Sequence, residues 1–132
     1  MPFLSHLLMN ADDGIPVVLT SPLVYESPTL KRVITVPAGF VSDLASVPRA
    51  LWSILPPLAS YTRAAVVHDY LYVNNGVTRA QADKVLLDAM RETGVGWWTR
   101  STVYSGVRAG GFIAWNRYRK AQSSQENRTD TL

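Results

Sequence analysis

His68 is the residue through which this sequence could move a proton near neutral pH. It lies in an apolar helical run, Ala64 to Tyr72 (AAVVHDYLY), and His6 near the start is the only other histidine. Imidazole has an ordinary pKa inside the physiological range, which suits it to general acid–base work. In a helix His68 and Tyr72 stand four residues apart on one face, whereas Asp69 is turned about a hundred degrees away. Two polar groups therefore leave one helix in two directions. A structural reading is also open, with His68 a hydrogen-bonded core residue and Asp69 a surface charge.

A second carboxylate has the spacing to join them. Thr78-Arg79-Ala80-Gln81 is spaced as a capping box and predicts a helix through about Arg91. On that helix Asp83, Leu87 and Met90 fall at i, i+4 and i+7, which puts a carboxylate on the apolar face beside Ala82, Leu86 and Ala89. Asn74-Asn75-Gly76 should end the preceding helix, so the two pack as an antiparallel hairpin. Removing Asp83 from water without a hydrogen bond would be costly, and the hairpin offers it His68 or the hydroxyl of Tyr72 or Tyr70. Alternatively Asp83 is an aspartate favoured by the positive start of its helix. Asp43 is a third candidate. It sits in Pro37 to Trp52 (PAGFVSDLASVPRALW), a shaped loop with Gly39 and Pro48, where Asp43 and Ser46 have the spacing of an aspartate turn or helix cap. Either capping accounts for Asp43, or it points at the HDYLY helix as a site carboxylate.

The elements that must position these groups divide the chain in two. Before residue 40, Pro16 to Leu19, Leu23 to Tyr25 and Arg32 to Val36 are β-prone, with a turn at Ser27-Pro28-Thr29. Thr62 is a candidate cap for the helix carrying HDYLY. A third helix is expected from about Thr99 to Lys120, where Trp97, Ser101, Tyr104, Arg108, Gly111, Trp115 and Tyr118 repeat at three-and-four spacing; Gly110-Gly111 predicts a kink or a close backbone approach there. The fold class expected is α+β: a small N-terminal antiparallel β-sheet, then a three-helix C-terminal part containing the antiparallel hairpin. Residues 1–121 form a single domain, and 122–132 (QSSQENRTDTL, with Gln122 first) read as a polar, disordered tail.

Composition narrows the chemistry. The chain has 132 residues, enough for one core, with 47% hydrophobic and 17% charged residues. With no cysteine, disulfides and thiolate metal sites are excluded, and any metal must be held by carboxylate, carbonyl or imidazole. No apolar run approaches bilayer length, and the amino terminus lacks the positive flank of a signal peptide, so synthesis in the cytoplasm is expected. The net charge is +3, unevenly placed: Trp97 to Ala121 contains Arg100, Arg108, Arg117, Arg119 and Lys120 and no acidic residue. That segment is either a solvated basic face or a surface for nucleic acid, anionic lipid or an acidic protein. The aromatic spacing is that of a packed seam, which points to core or subunit interface rather than a nucleic-acid platform.

Two resemblances follow from these residues. GFVSDLASVPR from Gly39 to Arg49, HDYLY from His68 to Tyr72, and the Ala82-Asp83 pair with Met90 resemble a family of small bacteriophage and prophage proteins classed as a domain of unknown function, over roughly Val33 to Arg108. Locally, HDYLY followed by an aspartate on the next helix is similar to the HDxxY helix pair of phospholipase A2, especially the cysteine-free viral capsid versions. That likeness implies His68 as the base that activates water, Asp83 as its orienting partner, Tyr72 as a hydrogen-bond support for Asp83, and Asp69 as a ligand for a divalent metal, calcium. Phospholipases of that type complete the calcium site with a glycine-rich loop that this sequence lacks, and Asp43 would have to supply a second oxygen. Two functional classes stay open. One is a bacteriophage virion or accessory component, made in the host cytoplasm and incorporated in the particle, which retains the His/Asp site and contacts other phage proteins or itself through residues 97–120 and the tail. The other is a metal-assisted ester hydrolase acting on host-envelope lipid during entry or release.

Overall fold

A computed structural model describes residues 17–42, 58–74 and 76–130. Its elements run β1 (Val17–Val18), β2 (Leu23–Ser27), β3 (Arg32–Val36), β4 (Val41–Ser42), α1 (Leu58–Val73), α2 (Arg79–Glu92), α3 (Trp97–Gly110) and α4 (Phe112–Asp130). The architecture is α+β, as the sequence predicts.

The β part is two antiparallel pairs. β2 and β3 form a hairpin in which Leu23 faces Val36 and Ser27 faces Arg32. Side chains alternate across it, with Leu23, Tyr25, Ile34 and Val36 buried against the helices and Val33 outward. The turn closes on Ser27: its carbonyl accepts from Lys31 N at 2.9 Å and its hydroxyl from Leu30 N at 3.0 Å. Lys31 adopts a φ of 55° to complete it. β1 pairs with β4, placing Val17 opposite Ser42, and Gly39, with a φ of 87°, turns the chain into β4. This pairing delivers Ser42, fully buried, onto α1.

α1 is the central helix. Ala64 to Asp69, Leu71 and Tyr72 are all buried, so it has no single apolar stripe and is covered from several sides. It touches α2, α4, β2, β3 and β4. It begins at Leu58, four residues before the expected cap, so Thr62 lies inside the helix and is buried. α1 ends at Val73, and α2 opens with the predicted capping box: Thr78 Oγ1 accepts from Gln81 N at 3.1 Å while Gln81 Oε1 accepts from Thr78 N at 3.0 Å. The hairpin is formed as expected.

The third predicted helix is two helices. α3 stops at Gly110 and α4 starts at Phe112, with Gly111 between them. A Cβ on Gly111 would stand 2.5 Å from Val107 O and 2.6 Å from the Tyr72 hydroxyl. The glycine therefore marks the close approach that the sequence allowed, and the break removes the kink from a continuous helix. Residues 122–130 are not irregular: α4 continues through them to Asp130, because Gln122, Gln125, Glu126 and Arg128 are helix formers that extend a helix already anchored at its start. Among the described residues no helix is long and apolar enough to cross a membrane.

Gly111→Ala should therefore destabilise the protein by about 1–3 kcal/mol through overpacking. Urea unfolding would read the loss, and displacement of the Tyr72 hydroxyl should appear as a changed near-UV tyrosine signal.

Candidate active site

Asp83 is brought to His68 by the hairpin. Its side chain is fully buried, one turn into α2, and four groups from three helices surround it. His68 Nε2 lies 2.8 Å from Asp83 Oδ1, and the Tyr72 hydroxyl donates to the same oxygen at 2.5 Å. Arg108 Nη1 donates to Oδ2 at 2.8 Å, and Arg79 Nη1 approaches that oxygen at 3.5 Å. Arg79 also donates to the carbonyls of Val107 and Arg108, each at 3.2 Å, so it holds the end of α3 where Arg108 leaves the helix.

Burial pushes the Asp83 carboxyl up, but the bond and charge of His68, the Tyr72 hydroxyl and the Arg108 guanidinium outweigh it and hold the group below its ordinary pKa. The Tyr72 hydroxyl is pushed the other way, first by burial and then by its bond to Asp83, and so stays a donor. An ionised Asp83 accepting from Nε2 selects the tautomer with the proton on that nitrogen, which leaves Nδ1 as the basic position of the neutral ring. The Tyr72 ring, 4.3 Å from the imidazole between centroids, fixes its plane.

Asp69 leaves α1 on another face, as the helical geometry predicts. Its Oδ2 accepts from Ser42 Oγ at 2.8 Å and its Oδ1 from the Tyr118 hydroxyl at 3.2 Å. It is 1% exposed, so the surface charge of the structural reading is excluded. Among the described residues no group of three or more His, Cys, Asp or Glu could hold a metal ion. Asp43 lies outside the described residues, so its expected role as a second ligand is neither met nor contradicted.

Tyr70, the other hydroxyl offered for Asp83, does not reach it; it accepts from Asn74 Nδ2 at 3.1 Å and meets Phe40 edge-on. Sequence reasoning missed Arg79, Arg108, Ser42 and Tyr118. Arg108 and Tyr118 carried a signal, since both lie on the three-and-four stripe of an otherwise apolar helix seam. Ser42 carried none, because only the β1–β4 pairing brings it to α1. A third buried carboxylate, Asp88, accepts from Thr29 Oγ1 and pairs with Lys84 at 3.6 Å and Arg91 at 3.4 Å, tying α2 to the β2–β3 turn.

The basic segment is largely consumed inside the fold. Arg108 holds Asp83, Arg100 Nη1 donates to Val95 O at 3.2 Å, and Arg119 donates to the Tyr72 carbonyl and lies 4.2 Å over the Trp115 ring. Arg117 and Lys120 remain exposed.

Residues 17–107 match the model of the family described as "Protein of unknown function (DUF1353)". The chain belongs to this family. Its matched region contains His68, Asp69, Tyr72 and Asp83. Over 74 residues the chain is 34% identical to "Uncharacterized protein y4jT" of Sinorhizobium fredii (strain NBRC 101917 / NGR234), a match that covers 54% of this chain and 22% of that protein. No solved structure matches it significantly.

Because its folded pKa is depressed, Asp83 contributes its full stabilisation above the ordinary carboxylate value of about 3.9 and loses it as pH falls through the lower folded value. Asp83→Asn should lower stability at pH 7 by about 3–5 kcal/mol. Thermal midpoints recorded from pH 7 to pH 2 should converge between parent and variant only at the acid end.

Proposed function

We propose that this chain is a bacteriophage-encoded accessory component whose His68–Asp83 pair is the general base of an ester hydrolase resembling phospholipase A2. The observation that carries the reading is the 2.8 Å contact of His68 Nε2 with an Asp83 oxygen that also accepts from Tyr72. This is the base, orienting acceptor and support that the sequence resemblance assigns to these three residues. In the reaction, His68 Nδ1 takes a proton from water as the water oxygen bonds to the ester carbonyl carbon. Asp83 stabilises the imidazolium that results, and the same proton passes to the leaving alkoxide when the carbon–oxygen bond breaks. Arg108 occupies the second Asp83 oxygen and keeps the carboxylate from turning away.

No step is assigned to a metal. A calcium requirement at Asp69 with Asp43 is a separate proposal, read by calorimetry at millimolar calcium against Asp69→Ala; absence of heat from the parent removes it.

A second reading is favoured by one observation: His68 is 0% exposed. In that reading the same polar network fixes the fold of a noncatalytic virion or assembly component, made in the host cytoplasm, whose outer surfaces meet other phage proteins.

Turnover separates them. The parent should release fatty acid from anionic and zwitterionic phospholipid vesicles or alcohol from a short-chain chromogenic ester, and His68→Gln should lower the rate by ~10²–10⁴-fold. Absence of turnover on every ester by folded parent protein, with and without calcium, would sink the hydrolase and leave the scaffold.

A further inference from the structure

α3 buries Val103 and Val107 and leaves its opposite side open. Trp98, Thr102, Ser105 and Ala109 are exposed at i, i+4, i+7 and i+11, which is one helical face. The backbone keeps its helical course across the joint to α4. Gly111 has φ −66° and ψ −16°, its N donates to Val107 O at 2.7 Å, and Trp115 N donates to Gly111 O at 3.0 Å. The face therefore runs on to Phe112, at i+14, with Ile113 beside it. At its other end Trp97 packs edge-on against Trp98, ring centroids 4.8 Å apart.

This face has three properties that bear on what covers it. First, every exposed residue from 97 to 113 is uncharged. The two arginines of that stretch are turned to other partners, Arg100 to Val95 O and Arg108 to Asp83. An anionic lipid or nucleic acid thus meets no cation here, while two copies of a chain with net charge +3 can meet here without opposing their charges. Second, the face is self-complementary about Ser105. Trp98 lies seven residues before it and Phe112 seven after, about 21 Å apart along the helix, with the small residues Ser105 and Ala109 between. Turned end for end, a second copy sets its Phe112 and Ile113 against Trp98 and Trp97, and the small centres let the helices approach. Third, the area suffices. Trp98 is 78% exposed, Trp97 and Ile113 are each 58%, and Phe112 is 48%. Since a large aromatic buries about 150–250 Å² when enclosed, the four expose roughly 500 Å² in each copy. A symmetric pairing then covers roughly 1,000 Å² in all, where specific interfaces begin.

We infer that the outer face of α3, continued into the first turn of α4, is the surface through which two copies of this chain pair, antiparallel, about a two-fold axis at Ser105. The pairing neither uses nor needs the His68–Asp83 contact, and it holds whether or not that pair turns over an ester.

Sedimentation equilibrium of the full chain over a concentration series tests it. The parent should reach the mass of a dimer, and Ser105→Arg and Ser105→Glu should each raise the dissociation constant at least ~10-fold, because a charge at the axis meets its own copy. An equal mixture of the two variants should recover the dimer, since arginine then faces glutamate. Ser105 is exposed, and circular dichroism should show unchanged helix content in both. A parent that stays monomeric up to about 100 µM overturns the inference. So does a dimer indifferent to either charge, or a mixture that stays apart. A monomeric parent whose tryptophan emission shifts to the blue on phospholipid vesicles gives the face to lipid and overturns it too. Should the charged variants not fold, cross-linking decides in a chain without native cysteine: Ser105→Cys must form a disulfide between copies under mild oxidation where Glu26→Cys on β2 does not, and failure to do so rejects the axis.

Discussion

Withdrawing the Asp83 carboxylate from water is the constraint around which α1, α2 and α3 are arranged. An isolated buried carboxylate is too costly to keep ionised, so each of its oxygens must be met by donors in the right places. His68 and Tyr72 come from α1, Arg79 from the first turn of α2 and Arg108 from the last turn of α3. Satisfying all of them leaves little freedom in how these helices cross. The same demand reaches Gly111: Tyr72 can point its hydroxyl at Asp83 only if the chain leaving α3 has no side chain in that space.

α1 thus serves two surfaces. One carries His68 and Tyr72 toward Asp83. The other carries Asp69 toward Ser42 and Tyr118. An aspartate directly after a histidine is common enough in sequence; burying both, on different faces, with separate sets of partners, requires that helix to be enclosed on all sides. The near-complete burial of Ala64 to Asp69 meets that requirement, and the small residues Ala64 and Ala65 let neighbouring elements come close.

Much of this was legible before the structure. Local signals were strong where the physics is local: the capping box at Thr78, the break at Asn74 to Gly76, the hairpin it forces, and a carboxylate stranded on the apolar face at Asp83. From these the hairpin offers Asp83 three partners, His68, Tyr72 and Tyr70, of which the structure takes the first two. What escaped was set by distance along the chain. Arg108 is 25 residues from Asp83 and Tyr118 is 49 from Asp69, and no periodicity says which arginine or tyrosine of a seam turns inward. Ser42 depends on a two-residue strand pairing too short to leave a pattern. The division of the last helix was marked by Gly110-Gly111, but which of the two ends it was decided by the room Tyr72 needs. The extension of α4 beyond Gln122 was misread, because polar composition alone does not separate a free tail from a helix propagated from an anchored start.

The brevity of the connection between α1 and α2 has a kinetic corollary. His68 and Asp83 are 15 residues apart, so bringing them together closes a small loop at little entropic expense, while the arginine at 108 must wait for a third helix to return. In a nascent chain the imidazole and phenol of α1 are then the first groups able to shelter the acid. The sequence order of the donors sets the order in which its charge is neutralised.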